Sequence, residues 1–275
     1  MRVGELEVLP VIDGTFKAPP SRAYQGADIA EAWEPHKYLL DEDGNLEASL
    51  GGFLIRGNGH VTLVDLGLGD NEMMGMRGPG QMLESLAGYG LRPEDITDVL
   101  LTHLHLDHVG WASKDGERVF PNATYRCDQA DWDTWVVNLE EVFKRPIDAI
   151  RLQRDLMLPT AQRLETWSRD GQILPGIDAM RIPGHTPGST IMVLNDGGEK
   201  AMLLGDVVHC AVELLDDEWD GAFDFDPVMA KAARNALVRE LEGQDIPVAA
   251  AHFGGLQFGR IMYGATPRKF TFLPG

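Results

Sequence analysis

Short apolar runs separated by polar turn residues recur along the chain. Each run is only a few residues long, and most are rich in valine, isoleucine and leucine, which is typical of strands buried in a sheet. The predicted strands cover residues 8–12, 53–55, 61–64, 99–101, 191–194, 202–204 and 246–251. The intervening Gly57-Asn58-Gly59 predicts a tight turn between the second and third of them.

Helical patterns lie between these strands. Asp226-Pro227 is followed by apolar residues at three- and four-residue spacing that end before Gly243. This order of Asp, Pro, apolar stripe and Gly predicts a helix with a capped start and a glycine stop. A shorter helix is predicted over residues 81–89, before Gly90.

The alternation of strands and helices indicates a layered α/β fold. We expect one domain over residues 1–275, because the chain contains neither a short-period repeat nor a low-complexity linker. Residues 129–168 are rich in Trp, Leu and Glu and are expected to form a helical insertion. Its two or three helices are expected to break at Pro146 and Pro159.

Charge adds the clearest information in the composition. The 275 residues include 24 Lys and Arg against 43 Asp and Glu, a net charge of −19. Phosphate backbones and anionic lipids repel such a chain, so we expect neither nucleic acid nor a membrane as a partner. Because only two cysteines occur, and neither a signal-peptide pattern nor a bilayer-spanning apolar run is found, we expect a cytoplasmic protein.

A dense set of potential metal ligands follows the predicted strand at 99–101. Three histidines and one aspartate fall within six residues: His103, His105, Asp107 and His108. Imidazole and carboxylate groups are the ligands that Zn²⁺ and similar divalent ions prefer, and histidines two apart in an extended loop point to the same side. The motif therefore predicts a metal site where the chain leaves the sheet.

Further candidate ligands occur where other predicted strands end. His185 lies between residues 180–182 and the strand at 191–194, Asp206 follows the strand at 202–204, and His252 follows the strand at 246–251. Loops at the carboxyl ends of strands converge on one crevice in α/β sheets. We therefore expect these three side chains to join the first motif.

In this order, the motifs resemble those of the metallo-β-lactamase superfamily of hydrolases. The resemblance runs from about residue 8 to residue 252, and its motifs are His103-x-His105-x-Asp107-His108, Gly184-His185-Thr186-Pro187-Gly188, Gly205-Asp206 and Ala251-His252. Val11-Ile12-Asp13-Gly14 and Val64-Asp65-Leu66-Gly67 also fit the early strands of that family. The resemblance implies an αβ/βα four-layer sandwich with a pair of metal ions at one edge of the two sheets.

The resemblance also implies how the ligands divide between two divalent ions, preferably Zn²⁺. One ion would be held by His103, His105 and His185, the other by Asp107, His108 and His252, with Asp206 as the bridge. A hydroxide shared by two cations about 3.5–4 Å apart is a strong nucleophile near neutral pH. Asp107 is further expected to take a proton during catalysis.

Departures from the family patterns narrow the expected function. The β-lactamases of this fold lack the bridging Asp, and its nucleases fit poorly with a charge of −19. The segments Gly205-Asp206-Val207-Val208-His209 and Phe223-Asp224-Phe225-Asp226-Pro227 are most similar to the lactonase and methyl parathion hydrolase group. We expect a dinuclear hydrolase that cleaves a small, neutral, apolar ester or lactone by attack of a metal-bound hydroxide; the alternative is an organophosphate triester hydrolase of the methyl parathion hydrolase type.

His209 stands where the acyl-homoserine lactonases of this group have a Tyr, which favours the aryl-ester and organophosphate side of the group. As a catalytic residue it would hydrogen-bond the leaving oxygen of the substrate; alternatively, it supports a metal ligand from behind. Asp65 is expected to fix a turn or a ligand, and Cys210 to be a small buried residue.

Aromatic residues flank the motifs and can line an apolar substrate pocket, or belong to the core. The candidates are Phe53, Trp111, Trp219, Phe225 and Phe253. Two other classes of function compete with hydrolysis: an iron-dependent redox protein with the same ligands, and a binding module whose site is inactive. A homodimer is left open by the sequence.

Overall fold

The computed structural model describes residues 1–26, 28–144, 147–262, 264 and 267–274. In chain order its strands are β1 Arg2–Val3, β2 Leu6–Ala18, β3 Tyr24–Gln25, β4 Leu46–Gly57, β5 His60–Val64, β6 Glu72–Met73, β7 Met76–Arg77, β8 Asp98–Leu100, β9 Ser113–Lys114, β10 Glu117–Arg118, β11 Thr124–Asp128, β12 Leu164–Trp167, β13 Gly171–Leu174, β14 Ile177–Arg181, β15 Thr190–Asp196, β16 Glu199–Leu203, β17 Asp220–Gly221, β18 Val248–Ala249, β19 Gly259–Ile261 and β20 Phe270–Phe272. Its α-helices are α1 Ile29–Ala32, α2 Met82–Gly88, α3 Leu106–Val109, α4 Gln129–Trp132, α5 Leu139–Val142, α6 Asp148–Met157 and α7 Pro227–Leu241.

Most strands belong to two large mixed sheets. The first has the order β1-β2-β4-β5-β8-β11-β12, and the second has the order β13-β14-β15-β16-β18-β19-β20. Strands β5, β8, β11 and β12 run parallel to one another, as do β16 and β18 in the second sheet. Parallel neighbours end at the same edge, so the loops that follow β5 and β8, and those that follow β16 and β18, are brought together.

Alternating residues of the strands enter different hydrophobic cores, because successive side chains point to opposite faces of a sheet. In β5, Leu63 packs with helix α2 while Val64 packs between the sheets. In β15, Met192 lies between the sheets while Val193 packs with α7. Both sheets are therefore covered on both faces, which gives the layer order helix, sheet, sheet, helix and confirms the predicted αβ/βα four-layer sandwich.

The predicted strands at 8–12, 53–55, 61–64 and 191–194 lie inside β2, β4, β5 and β15. The hairpin between β4 and β5 is closed by Asn58 and Gly59, both with positive φ, as a tight two-residue turn requires. The run 246–251 forms only the two-residue strand β18, since the chain turns at Ala251 and presents His252 at the edge of the sheet.

Helix α7 has the predicted bounds and cap: the Asp226 carboxylate accepts the backbone N–H of Met229 at 2.9 Å. Helix α2 falls within the predicted 81–89. Residues 129–168 contain α4, α5 and α6, but their last part is the strand β12, paired with β11, because the chain returns to the open edge of the first sheet after Pro159. The predicted break at Pro146 lies outside the described residues, and the single domain over 1–275 stays a prediction. Every helix among the described residues is too short or too polar to cross a bilayer.

The buried carboxylate of Asp13 joins four segments near the site. Its Oδ2 accepts the backbone N–H groups of Leu68 at 2.9 Å and Gly69 at 2.8 Å. Its Oδ1 accepts the N–H of Met82 at 2.9 Å and the indole N–H of Trp111 at 2.8 Å. Asp13 thereby connects β2 to the loop after β5, to the start of α2 and to the segment after α3.

Replacing Asp13 by Asn should therefore destabilise the protein strongly. In the wild type, both carboxylate oxygens of Asp13 accept N–H groups. In the variant, one oxygen is replaced by an NH₂ group, which cannot accept a hydrogen bond, so Asp13→Asn should lower the free energy of unfolding by at least about 2 kcal/mol. Urea unfolding measures this loss. The matched control is Asp226→Asn, which should change stability by less than about 0.5 kcal/mol because Asn caps helices as well as Asp. Equal effects of the two substitutions would contradict the role of Asp13.

Candidate metal centre

The first four candidate ligands come from the loop after β8 and the helix that follows it. His103 and His105 lie in the loop, and Asp107 and His108 lie in the first turn of α3. The start of the loop is fixed by Asp65, whose Oδ1 accepts the backbone N–H of Thr102 at 2.8 Å. The backbone is extended at His105, just before α3, and helical at Asp107 and His108. This change of conformation allows all four side chains to point towards the same site.

The other candidate ligands come from the second sheet. His185 follows β14, Asp206 follows β16 and His252 follows β18. Gly205 has φ +54, and a Cβ atom there would lie 2.8 Å from the side chain of Thr102. A glycine at this position therefore lets the Asp206 segment approach the loop after β8.

Three imidazoles form the first potential metal-binding group, which consists of His103, His105 and His185. His105 Nδ1 lies 3.2 Å from His103 Nε2 and 2.9 Å from His185 Nε2. Nitrogens bonded tetrahedrally to one zinc ion at 2.0–2.1 Å would lie roughly 3.3 Å apart. The spacing of these nitrogens therefore fits one divalent cation.

Asp107, His108 and His252 form a second group. Asp107 Oδ2 lies 3.5 Å from His252 Nε2, and Asp107 Oδ1 lies 4.0 Å from His108 Nε2. His108 lies in α3 and His252 in the loop after β18, and a carboxylate with two imidazoles is again a ligand set for a divalent ion.

Asp206 lies between the two groups. Its Oδ1 is 3.3 Å from His108 Nε2, and its Oδ2 is 3.2 Å from His252 Nε2 and 3.5 Å from His185 Nε2. Asp206 Oδ1 and His108 Nε2 are buried and have no hydrogen-bond partner among the described residues. A buried polar atom without a hydrogen-bond partner is costly, because it has lost its contact with water. A bound cation would supply the missing partner, so these two atoms fit the role of metal ligands.

In three of the imidazoles, the nitrogen that points away from the candidate metal centre contacts an oxygen of the surrounding protein. His108 Nδ1 contacts Asp65 Oδ2 at 2.9 Å, His185 Nδ1 contacts Asp224 Oδ1 at 3.0 Å, and His252 Nδ1 contacts the Ser49 carbonyl at 2.9 Å. Such partners fix the tautomer and the direction of a metal-binding imidazole. The sequence suggested Asp65 for this position but gave no signal for Asp224 or for the carbonyl of Ser49.

Protonation states in the centre follow from burial and charge. Burial lowers the pKa of His103 and His105 well below the usual range, so both are neutral ligands. Burial opposes ionisation of Asp206, yet the imidazoles led by His252 hold its pKa well below the usual range. Burial also opposes a charge on His108, but Asp206 and Asp65 raise its pKa. Protons and cations therefore compete for the same nitrogen at low pH.

The two predicted catalytic residues lie at the edge of this cluster. Asp107 belongs to the second group, and its side chain is 14% exposed. His209 Nε2 is 3.5 Å from Asp206 Oδ2, and His209 also forms a potential group with His185 and Asp206. Burial opposes protonation of His209, but Asp206 and Glu213 raise its pKa to about 9.

Three of the five aromatic candidates lie in the hydrophobic core, which is one of the two roles that the sequence left open. Phe53 packs between the sheets against Phe258, with ring centroids 5.8 Å apart. Trp111 is buried with its indole N–H on Asp13. Trp219 packs in a separate cluster with Tyr24. An aromatic residue next to a motif can either pack in the core beneath the loops of the site or line the substrate cleft. The sequence alone does not distinguish these two roles.

Phe225 and Phe253 are the two aromatic candidates placed beside the site. Phe253 lines a cavity of about 230 Å³ together with His209 and His252. Phe225 is 48% exposed, and its ring centroid is 6.3 Å from that of Trp135.

Trp135 was missed by the sequence analysis, although it lies closer to the metal centre. Its ring centroid is 5.1 Å from His105, and it stacks on Phe143 at 5.0 Å. Trp135 lies in the π-helical turn Asp133–Val137, a local irregularity that is common at functional sites. We call Trp135, Phe143 and Phe225 the aromatic cluster.

Sequence comparison relates the chain to known proteins. A family model described as the metallo-beta-lactamase superfamily matches residues 52–252. N-acyl homoserine lactonase AiiA of Bacillus thuringiensis subsp. kurstaki is 23% identical over 168 residues, which is 61% of this chain and 60% of that lactonase. Metallo-beta-lactamase domain-containing protein 1 of Xenopus laevis is 27% identical over 232 residues, covering 81% of this chain and 84% of that protein.

Solved structures share the fold over the full chain. AidC, a dizinc quorum-quenching lactonase solved with a product, superposes with a TM-score of 0.84 at 24% identity, covering 100% of this chain and 96% of AidC. The hydrolase AbOPH of the beta lactamase superfamily superposes with a TM-score of 0.85 at 26% identity, with the same coverage. The overall fold is therefore shared with these hydrolases.

The contact between Asp65 and His108 predicts an effect on metal affinity. Asp65→Asn should weaken binding of divalent cations by roughly 10–100-fold, because the amide no longer fixes and polarises the imidazole. Competition with a chromophoric chelator measures the affinity. Asp70→Asn, which changes an exposed carboxylate, should leave the affinity at the wild-type value. If the two variants bind zinc equally well, Asp65 does not support the centre.

Proposed function

The chain belongs to the metallo-beta-lactamase superfamily, and we propose that it hydrolyses a small, neutral ester or lactone with two divalent cations at the candidate metal centre. The position of Asp206 between two groups of ligands carries this proposal. One group surrounds His105 and the other contains Asp107, so a single carboxylate is within reach of two cations.

We assign the ligands to the two cations as the resemblance implies. His103, His105 and His185 would hold one cation, Asp107, His108 and His252 the other, and Asp206 would contact both. Zinc is the preferred ion, because imidazole with carboxylate is its usual ligand set. When bound, two such cations acidify water and polarise the oxygen of the substrate that is attacked.

The residues of the chain then bind, orient and exchange protons. Asp107 has a side chain that is 14% exposed and is proposed to accept a proton as the tetrahedral intermediate forms. His209 is placed to donate from Nε2 to the leaving oxygen, since this nitrogen faces the centre and has no hydrogen-bond partner among the described residues. In this proposal Asp107 acts as the general base and His209 as the general acid.

Apolar surfaces on two sides of the centre support a neutral substrate. The aromatic cluster lies beside His105, and the cavity beside His209 and His252 is lined in part by Leu39, Leu46 and Phe253. Rings and aliphatic side chains fit acyl or aryl groups, and the net charge of −19 disfavours multiply anionic substrates. Lactonases among the relatives point to the same substrate class.

An organophosphate triester is the second candidate substrate. His209 occupies the position at which the acyl-homoserine lactonases of the resembling group have a Tyr, and a neutral aryl phosphotriester meets the same apolar surfaces. Its phosphoryl oxygen would take the place of the ester carbonyl between the two ligand groups.

Removing the shared carboxylate should disable the centre. Asp206→Asn is expected to lower kcat/KM by about 100-fold or more, the scale typical of losing a strong electrostatic stabiliser. Elemental analysis should find two divalent ions per wild-type chain and fewer in the variant. Asp178→Asn, in strand β14, is the control and should keep both the ions and the activity. A wild-type chain with one ion or none would contradict the dinuclear proposal, and iron as the resident metal would favour redox chemistry.

The substrate class is tested by comparing kcat/KM for five compounds at one ionic strength: a lactone, an aryl ester, a phosphotriester, a β-lactam and a short DNA. We expect turnover of the aryl ester or lactone, weaker turnover of the phosphotriester and negligible turnover of the other two. Phe225→Ala should raise KM for the preferred ester if its acyl or aryl group lies on the aromatic cluster, because the Phe225 side chain is 48% exposed. Preference for the β-lactam or for DNA would overturn the assignment of substrate.

A further inference from the structure

Behind the centre lies a fully buried ion pair formed by Glu213 and Arg234. Arg234 Nη1 is 3.1 Å from Glu213 Oε1, and the two residues are 1% and 0% exposed. Glu213 belongs to the short 3₁₀ turn Ala211–Leu214, and Arg234 comes from the middle of α7. Arg234 also donates to the backbone carbonyl of Trp219, so the guanidinium is held by two acceptors.

Glu213 accepts the backbone N–H groups of His209 and Cys210 and faces the imidazole of His209. Its Oε2 accepts the backbone N–H of His209 at 2.5 Å and that of Cys210 at 3.1 Å. Its Oε1 faces His209 Nδ1 at 3.7 Å. The opposite ring nitrogen, Nε2, lies 3.5 Å from Asp206 Oδ2. The imidazole is therefore directed by a carboxylate on one side and faces the metal centre on the other.

Stability alone is a weak reason for this ion pair. Taking both charges out of water costs much of the energy that their attraction returns, and apolar replacements of buried ion pairs are often neutral or stabilising. A carboxylate beside Nδ1, in contrast, has a specific effect, since it favours a proton on Nδ1 and a ring orientation in which Nε2–H faces the centre. Arg234 keeps that carboxylate ionised and in place.

We propose that the buried Glu213–Arg234 ion pair positions the imidazole of His209, with Nδ1 towards the Glu213 carboxylate and Nε2 towards the substrate. The catalytic part of this inference rests on the proposed function, because the oriented Nε2 would donate to the leaving oxygen of the ester. Glu213 and Arg234 are positioning residues that act through His209 and do not touch the substrate.

A mutant cycle tests whether the pair acts through His209. Glu213→Gln with Arg234→Met removes both charges together, so neither is left buried alone. This pair variant is compared with the wild type, with His209→Ala, and with the variant that combines all three substitutions. If the pair variant is unstable, Glu213→Gln with Arg234→Gln serves as the second variant, because it removes the same two charges and keeps a hydrogen-bonding side chain at each position.

The pair variant should lower kcat by about tenfold with KM and metal content unchanged. His209→Ala should lower kcat at least as much, and the combined variant should match His209→Ala, because residues that act through one group are not additive. If the losses multiply in the combined variant, or if the pair variant keeps the wild-type kcat, the positioning role is overturned.

The ring nitrogens of His209 give a readout that does not depend on hydrolysis. In ¹⁵N-histidine NMR spectra, assigned by comparison with His209→Ala, the wild type should show an Nδ1–H that exchanges slowly with water, and the pair variant should show faster exchange at Nδ1. An unchanged His209 signal in the pair variant would overturn the proposal. A wild-type chain that hydrolyses none of the five test compounds would overturn the proposed function, while these spectra still decide the positioning role.

The matched control is a largely buried ion pair at the end of strand β8 opposite to the centre. Asp98 and Arg126 are paired at the amino-terminal end of β8, away from the loop that carries His103. Asp98→Asn with Arg126→Met removes the same two charges from the interior. It should change thermal stability without changing kcat or the His209 signal, which separates a specific effect of Glu213 from a general effect of removing buried charge.

Discussion

The site depends on one buried carboxylate, that of Asp206, shared by imidazoles from both sheets. An ionised group in this position needs positive partners, since burial without them costs several kcal/mol. His108 approaches it from the first sheet, and His252 and His185 approach it from the second. The outer contacts of these rings, such as that of Asp65 with His108, have the common effect of turning a nitrogen towards this carboxylate.

Much of the fold could be predicted from sequence because its signals are local. Strands buried on both faces appear as short apolar runs, and α7 is bounded by its own Asp cap and Gly stop. The candidate ligands were also predictable, since His103 to His108 form a contiguous motif and the others end predicted strands. The structure brings all seven of these residues together.

The remainder could not be predicted because it depends on contacts between distant segments. Nothing near Trp111 shows that its indole donates to Asp13, and nothing near Arg234 shows that it lies under His209. The strand β12 follows helices in the sequence and becomes a strand only because the edge of β11 is open to it. Contacts such as that of Trp135 with His105 are likewise defined by the fold around them and not by their neighbours in sequence.

The division of the ligands between two sheets has a consequence for how the protein is made. During synthesis the His103 to His108 segment emerges long before His252, so the early chain can offer a cation only a partial set of ligands. Full affinity arises when the two sheets dock, a late step because it joins segments far apart in sequence. The free energy of cation binding then adds to the cohesion of the docked sheets. Metal supply in the cell would thereby govern the lifetime of the assembled fold as well as its chemistry.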